Sequence, residues 1–171
     1  MKFAGRLTGL LATAALVAAC SNKNALDDVN SVDLNSQSSG VAAGSASDPT
    51  SPVYFQQAIG DRVFFSVDQS TLSDAARQTL SGQATWLLKN TDYTATIEGH
   101  ADEQGTREYN VALGERRANA AREYLISRGV AGNRLRIVSY GKERPVEICS
   151  EEACYAKNRR VVTVLAAGLT G

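Results

Sequence analysis

The sequence predicts an α/β (α+β) domain, a two-layer sandwich of order βαβαββ, with a mixed sheet of about four strands and two main helices on one face. The strands show first. Arg62-Val-Phe-Phe-Ser-Val67 and Leu135-Arg-Ile-Val-Ser-Tyr140 are short runs rich in β-branched and aromatic residues, and Thr94-Ala-Thr-Ile97 alternates polar with apolar. The helices show in their period: Leu72, Ala76, Leu80, Gln83 and Leu87 share one helical face, and Leu113, Ala120, Ala121 and Tyr124 form a second stripe. At 171 residues the chain has room for one domain plus processing and linker segments. Its 18 lysines and arginines balance 18 aspartates and glutamates, so no electrostatic footprint points to nucleic acid.

Lys2 and Arg6 form a basic start, and the apolar run from Leu7 to Val17 is too short to span a bilayer. Residues 1–19 therefore read as a signal peptide. Val17-Ala18-Ala19-Cys20 resembles a bacterial lipobox, in which the cysteine thiol takes a diacylglycerol, the signal is cut before it and the new amine is acylated. Three acyl chains make a stable anchor where one binds only marginally. Ser21 rather than aspartate follows Cys20, which by the sorting logic of such lipoproteins favours the outer membrane. Residues 21–52 are rich in Ser, Asn, Asp, Gly and Ala without an aromatic residue, the composition of a disordered tether. Such a tether reaches at most roughly 105 Å when extended and averages about 31 Å between its ends as a coil.

The folded domain is expected over 53–171. Order resumes at Val53-Tyr-Phe55, the first strand runs over 62–67, and Asp68 closes it as a turn or capping residue. Ser73 caps a helix to about Asn90 that carries no chemistry, with Trp86 at the edge of its apolar face. A strand over 94–98 leads into a loop bracketed by Gly99 and Gly105. The next helix starts at Asn110, its expected N-cap, and is stopped at Arg128 by Gly129. Strands over 135–140 and 159–166 complete the sheet. Cys149 and Cys154 stand in the loop before the last strand. With Cys20 used for lipid, an oxidising compartment favours joining these two. A metal pair lacks partners, because His100 is the only histidine and zinc normally takes three or four protein ligands.

The chemistry gathers between Glu98 and Asn119. Asp102 sits on a loop at a strand's C-terminal end, and Arg117 falls inside the apolar stripe of the following helix. Arginine cannot drop its charge, so a body-facing guanidinium needs a carboxylate or an acceptor-rich ligand. Spacing leaves both open: an internal pair with Asp102 or Glu98, or a ligand held between Arg117 and Asp102.

The run Glu98-Gly-His-Ala-Asp-Glu-Gln-Gly-Thr-Arg-Glu-Tyr-Asn-Val-Ala-Leu-Gly-Glu-Arg-Arg-Ala118 resembles the signature of OmpA-like peptidoglycan-binding domains, and the resemblance extends over roughly 62–165. It implies that Asp102 and Arg117 hold the two charged ends of meso-diaminopimelate in non-crosslinked cell-wall stem peptides. Asp68, Asn110, Leu113 and Arg159 complete the implied ligand set, with no cofactor and no metal. Arg159, in the family-like Asn158-Arg159-Arg160-Val161, either supports Asp102, contacts the ligand, or stands with Arg160 as a solvated pair at a strand start. The implied partners are peptidoglycan, outer-membrane lipid through acylated Cys20, and proteins of the Tol envelope system used in division. The chain departs from the family pattern at Ser66 and Val67, where an aspartate-phenylalanine pair is usual. It departs again at Ser70, where an aromatic is common, and at Gln104, where arginine is common.

Function therefore divides three ways. A non-catalytic tether facing the periplasm uses the Asp102–Arg117 pair to bind murein. A murein hydrolase would use Asp102 with Glu103 or His100 as its acid and base, but no nucleophile with a partnered base accompanies them. A purely structural lipoprotein would leave Arg117 paired internally.

Overall fold

Four strands form one mixed sheet in the order β1-β4-β2-β3, where β1 is Arg62–Phe64, β2 Tyr93–His100, β3 Leu135–Gly141 and β4 Arg160–Ala167. The protein is seen here as a computed structural model that describes residues 43–167. The expected signal segment, Cys20 and the tether up to residue 42 lie outside the described residues. β2 and β3 run parallel, with Ala95 opposite Leu135 and Ile97 opposite Ile137, as the intervening helix requires. β4 is antiparallel to both of its neighbours, so β1 and β2 point the same way.

Helix α1 (Pro52–Tyr54) continues into a wider π-turn (Phe55–Gly60). Ser51 caps it and is buried, and the Trp86 indole donates to the Pro49 carbonyl at 2.7 Å. The ordered domain thus begins earlier than the composition indicated. Helix α2 (Asp74–Lys89) starts where predicted, with the Ser73 hydroxyl accepting from the Ala76 amide. Helix α3 (Arg107–Ser127) is longer than predicted, and Gly129 follows it at φ +100, a conformation open to glycine. Both helices lie on one face, where Leu80, Leu87, Ile97, Ala118, Ala121, Leu125 and Val161 make a single core with Phe55 and Trp86. Each large apolar side chain wholly buried there is worth roughly 1.5–3 kcal/mol before chain entropy is counted. The one amide in that core, Gln83, is satisfied, donating to Gly60 O and accepting from the Thr163 hydroxyl, both at 2.7 Å.

The first strand is shorter than predicted. The Phe65 amide still donates to Arg159 O at 2.9 Å, but beyond it the chain turns away from the sheet. The loop expected before β4 contains a fourth helix, α4 (Glu152–Asn158), too short to show a period in sequence. Cys149 and Cys154 are disulfide-bonded with Cα atoms 5.9 Å apart, tying the preceding loop to the first turn of α4. At the other end Asn158, fully buried, accepts from the Val146 and Glu147 amides and donates to Glu147 O.

Gly99 has a different role from the turn residue the sequence suggested. It lies within β2 directly beneath Gly114 of α3, and a Cβ on Gly99 would come within 1.9 Å of Gly114 O. A Cβ on Gly114 would meet the Ser139 hydroxyl at 2.4 Å and Gly99 O at 3.0 Å. The two missing side chains let α3 lie flush on the sheet at its site-bearing end. Gly99→Ala is therefore expected to destabilise the domain by at least about 3 kcal/mol, because backbone rather than a flexible side chain has to move. Denaturant unfolding checks it, and a loss under about 1 kcal/mol contradicts the close approach.

Candidate functional site

Topology brings the site together. β1 and β2 are parallel and β4 is antiparallel to both, so the C-terminal ends of β1 and β2 and the start of β4 share one end of the sheet. Asp68 follows β1, Asp102 follows β2, and Arg159 immediately precedes β4. The N-terminus of α3 opens at the same place. A cleft of about 290 Å³ is lined there by Val67, Asp68, Asp102, Gln104, Gly105, Tyr109, Asn110 and Leu113.

Asp102 is 7% exposed. One carboxylate oxygen accepts from the Gln104 amide at 3.3 Å and the other from Arg159 Nη1 at 3.1 Å. Arg159, also buried, is no solvated pair with Arg160: it reaches Phe65 O with Nε and shares its two terminal nitrogens between Asp102 and Glu152 of α4. Asp68 closes the opposite wall with φ +56, the only described non-glycine residue at positive φ, and its carboxylate accepts from the Tyr109 hydroxyl. That bond raises the Tyr109 hydroxyl above its ordinary value. Backbone held in a sparsely populated region at a cleft wall is characteristic of binding sites.

Arg117 is wholly buried, and its partner is neither Asp102 nor Glu98. Nε donates to Gln69 O at 2.7 Å, Nη1 to His100 O at 2.9 Å and Nη2 to Ser66 O at 3.1 Å, with the Phe65 ring 5.3 Å away. Three of its five N–H groups tie the segment after β1 to the end of β2. Desolvation lowers the guanidinium to about 10, partly offset by Asp102, so it stays charged at neutral pH. The direct internal ion pair expected as one alternative is thus replaced by backbone carbonyls, which supply acceptors without a second buried charge.

Asn110 lies inside the first turn of α3 rather than capping it. Thr106 is the cap, its hydroxyl accepting from the Tyr109 amide at 3.2 Å, while Asn110 Nδ2 donates to Gln104 O at 2.8 Å and so closes the loop. Both residues are capping types, and what distinguishes Thr106 is the bond its hydroxyl accepts from the Tyr109 amide. Lys142 Nζ, from the turn after β3, holds the same loop at Gly105 O at 2.7 Å. Tyr109 and Glu152 were not singled out from sequence. Tyr109 sits in the quoted signature run and could have been found there, whereas nothing local marks Glu152. A larger cleft of about 490 Å³ beside β1 and α4 shares Arg159, but its charged lining is Lys157 and Arg159, with no carboxylate to receive a cation.

Residues 64–159 match the model of the OmpA family. The chain belongs to that family. A peptidoglycan-associated lipoprotein of Rhizobium meliloti (strain 1021) is 49% identical over 159 residues, covering 93% of this chain and 86% of its own. One from Brucella melitensis is 52% identical over 149 residues, 87% of this chain and 84% of its own. The crystal structure of the peptidoglycan-associated lipoprotein from Burkholderia pseudomallei superposes with a TM-score of 0.63 at 36% identity, over 71% of this chain and 98% of that one. The C-terminal domain of Helicobacter pylori MotB, at 21% identity and TM-score 0.59, shares the fold.

His100 stands just behind the OmpA-family loop, 2% exposed, with neither ring nitrogen hydrogen-bonded among the described residues. Glu98 is 3.9 Å away, and Tyr140 lies against the ring. Desolvation, then Arg160 and Arg144, lower it from an ordinary 6.5 to about 4. The folded value lies below the unfolded one, so stability is complete above about pH 6.5 and is lost as pH falls toward 4. Melting experiments should lose roughly 2 kcal/mol between pH 7 and pH 5, a loss that His100→Gln removes. A wild-type protein equally stable at both pH values contradicts the neutral, buried assignment.

Proposed function

We propose that this domain binds peptidoglycan non-covalently through the diaminopimelate of uncrosslinked stem peptides, and that Cys20 carries lipid that anchors the chain in the outer membrane. What carries the reading is a cleft with Asp68 and Asp102 at its walls and a buried, permanently charged Arg117 behind it, in a chain whose relatives are named peptidoglycan-associated lipoproteins. The distal end of diaminopimelate carries an ammonium and a carboxylate on one carbon. Asp102, with Asp68 and Tyr109 opposite, receives the ammonium. The carboxylate meets the positive side: the N-terminal end of α3 and the field of the buried Arg117 behind the cleft. Asn110 keeps the loop in shape and Leu113 supplies the apolar floor.

The role is a tether, and the proposed partners beyond murein are proteins of the Tol envelope system. Binding needs no general acid. His100, one of the bases a hydrolase would pair with Asp102, is buried outside the cleft lining.

Co-sedimentation with purified sacculi, run beside thermal melts, tests the assignment. Asp102→Ala should lower affinity by about 30-fold or more with little change in melting temperature, because Arg159 keeps Glu152. Arg117→Ala should lose binding and also destabilise by about 3–5 kcal/mol, because three charge-assisted hydrogen bonds that tie the segment after β1 to the end of β2 are lost together. Retained sedimentation of a folded Asp102→Ala protein would overturn the assignment.

A further inference from the structure

We propose that Glu152 is a positioning residue of this cleft: by sharing Arg159 with Asp102 it keeps Asp102 available to a cationic group, and the Cys149–Cys154 bridge holds it in place. The inference rests on the stem-peptide reading above and identifies what sets the charge of the site.

The geometry is a line of three groups. Arg159 Nη1 lies 3.1 Å from Asp102 and 3.4 Å from Glu152, and Nη2 bonds Glu152. A single guanidinium between two carboxylates leaves a net charge of −1. Without Glu152, both terminal nitrogens of Arg159 are free to fork onto Asp102, the geometry this pair favours. An incoming ammonium would then meet a carboxylate already neutralised. The Arg159 bond holds the Glu152 carboxyl below its ordinary value, so the charge persists at neutral pH.

Glu152 is 64% exposed at its side chain, so something other than burial has to hold it in position. α4 has seven residues and its cap residue, Glu151, makes no side-chain bond. A helix that short is unstable alone. The disulfide pins its first turn, which carries Glu152, and Asn158 pins its last. The bridge is thereby linked to the cleft through Glu152, Arg159 and Asp102.

Equilibrium titration of the full mature chain with the tripeptide L-alanyl-D-glutamyl-meso-diaminopimelate tests this, beside the same peptide acetylated on its free diaminopimelate amine. At low ionic strength Glu152→Gln should bind the free-amine peptide about fivefold more weakly, a deficit that shrinks in high salt. Glu152→Asp should recover most of it. Cys149→Ser combined with Cys154→Ser should show a deficit in the same direction. The acetylated peptide should bind wild type and Glu152→Gln alike. Wild-type affinity in Glu152→Gln, while Asp102→Asn loses binding, overturns the positioning role and leaves the cleft reading standing. An equal loss for both peptides overturns it too, as a general structural effect. Failure of the wild type to bind the tripeptide brings down both readings.

Discussion

A guanidinium cannot shed its charge, and Arg117 lies wholly inside the domain, so the chain around it has to be folded to supply acceptors. It does so with three backbone carbonyls, Ser66 and Gln69 from the segment after β1 and His100 from the end of β2. These two segments carry the site's acids. Asp68 lies between Ser66 and Gln69, and Asp102 two residues beyond His100. The arginine therefore fixes the two walls of the cleft relative to one another, and its net worth lies in what it orders rather than in an ion pair.

The helix that carries Arg117 can reach those carbonyls only because it lies so close to the sheet. Gly99 and Gly114 remove both side chains at the crossing, and Gly141, at φ +52, removes a third beside Val111. α3 then begins at the sheet end where β1 and β2 finish and β4 starts. Residues more than fifty positions apart, Asp102 and Arg159, meet there as a buried pair. Fold and site share one constraint: the backbone approach that packs α3 also places its N-terminus and Arg117 at the cleft.

The layers, the main helices and most strand positions were legible because period and β-branched runs report local geometry directly. The identity of the site loop was legible because its residues are contiguous. What sequence could not show was partnering across the fold. Arg117 has the same position on its helical stripe whether it meets a carboxylate, a ligand or carbonyls, and only the turn after β1 decides which. Arg159 looked equally compatible with solvent or with Asp102, and Glu152 had no local mark at all. The start of α3 was misplaced by four residues because Thr106 and Asn110 are both good capping types, and the difference lies in which one bonds an amide. Gly99 looked like a turn residue because a glycine required by a neighbouring helix leaves no local signature.

The central claim is that one cleft, between the segment after β1 and the start of α3, receives the diaminopimelate end of a stem peptide. Amide chemical-shift mapping of the isotopically labelled protein during titration with the diaminopimelate tripeptide tests it most directly. Saturable shifts confined to residues 66–69, 102–110 and the neighbourhood of Arg159 are the result this account predicts. Shifts concentrated instead at the larger cleft beside Ala156 and Lys157 or on the open sheet face around Val138 and Val164, or no saturable shift at all, would contradict it.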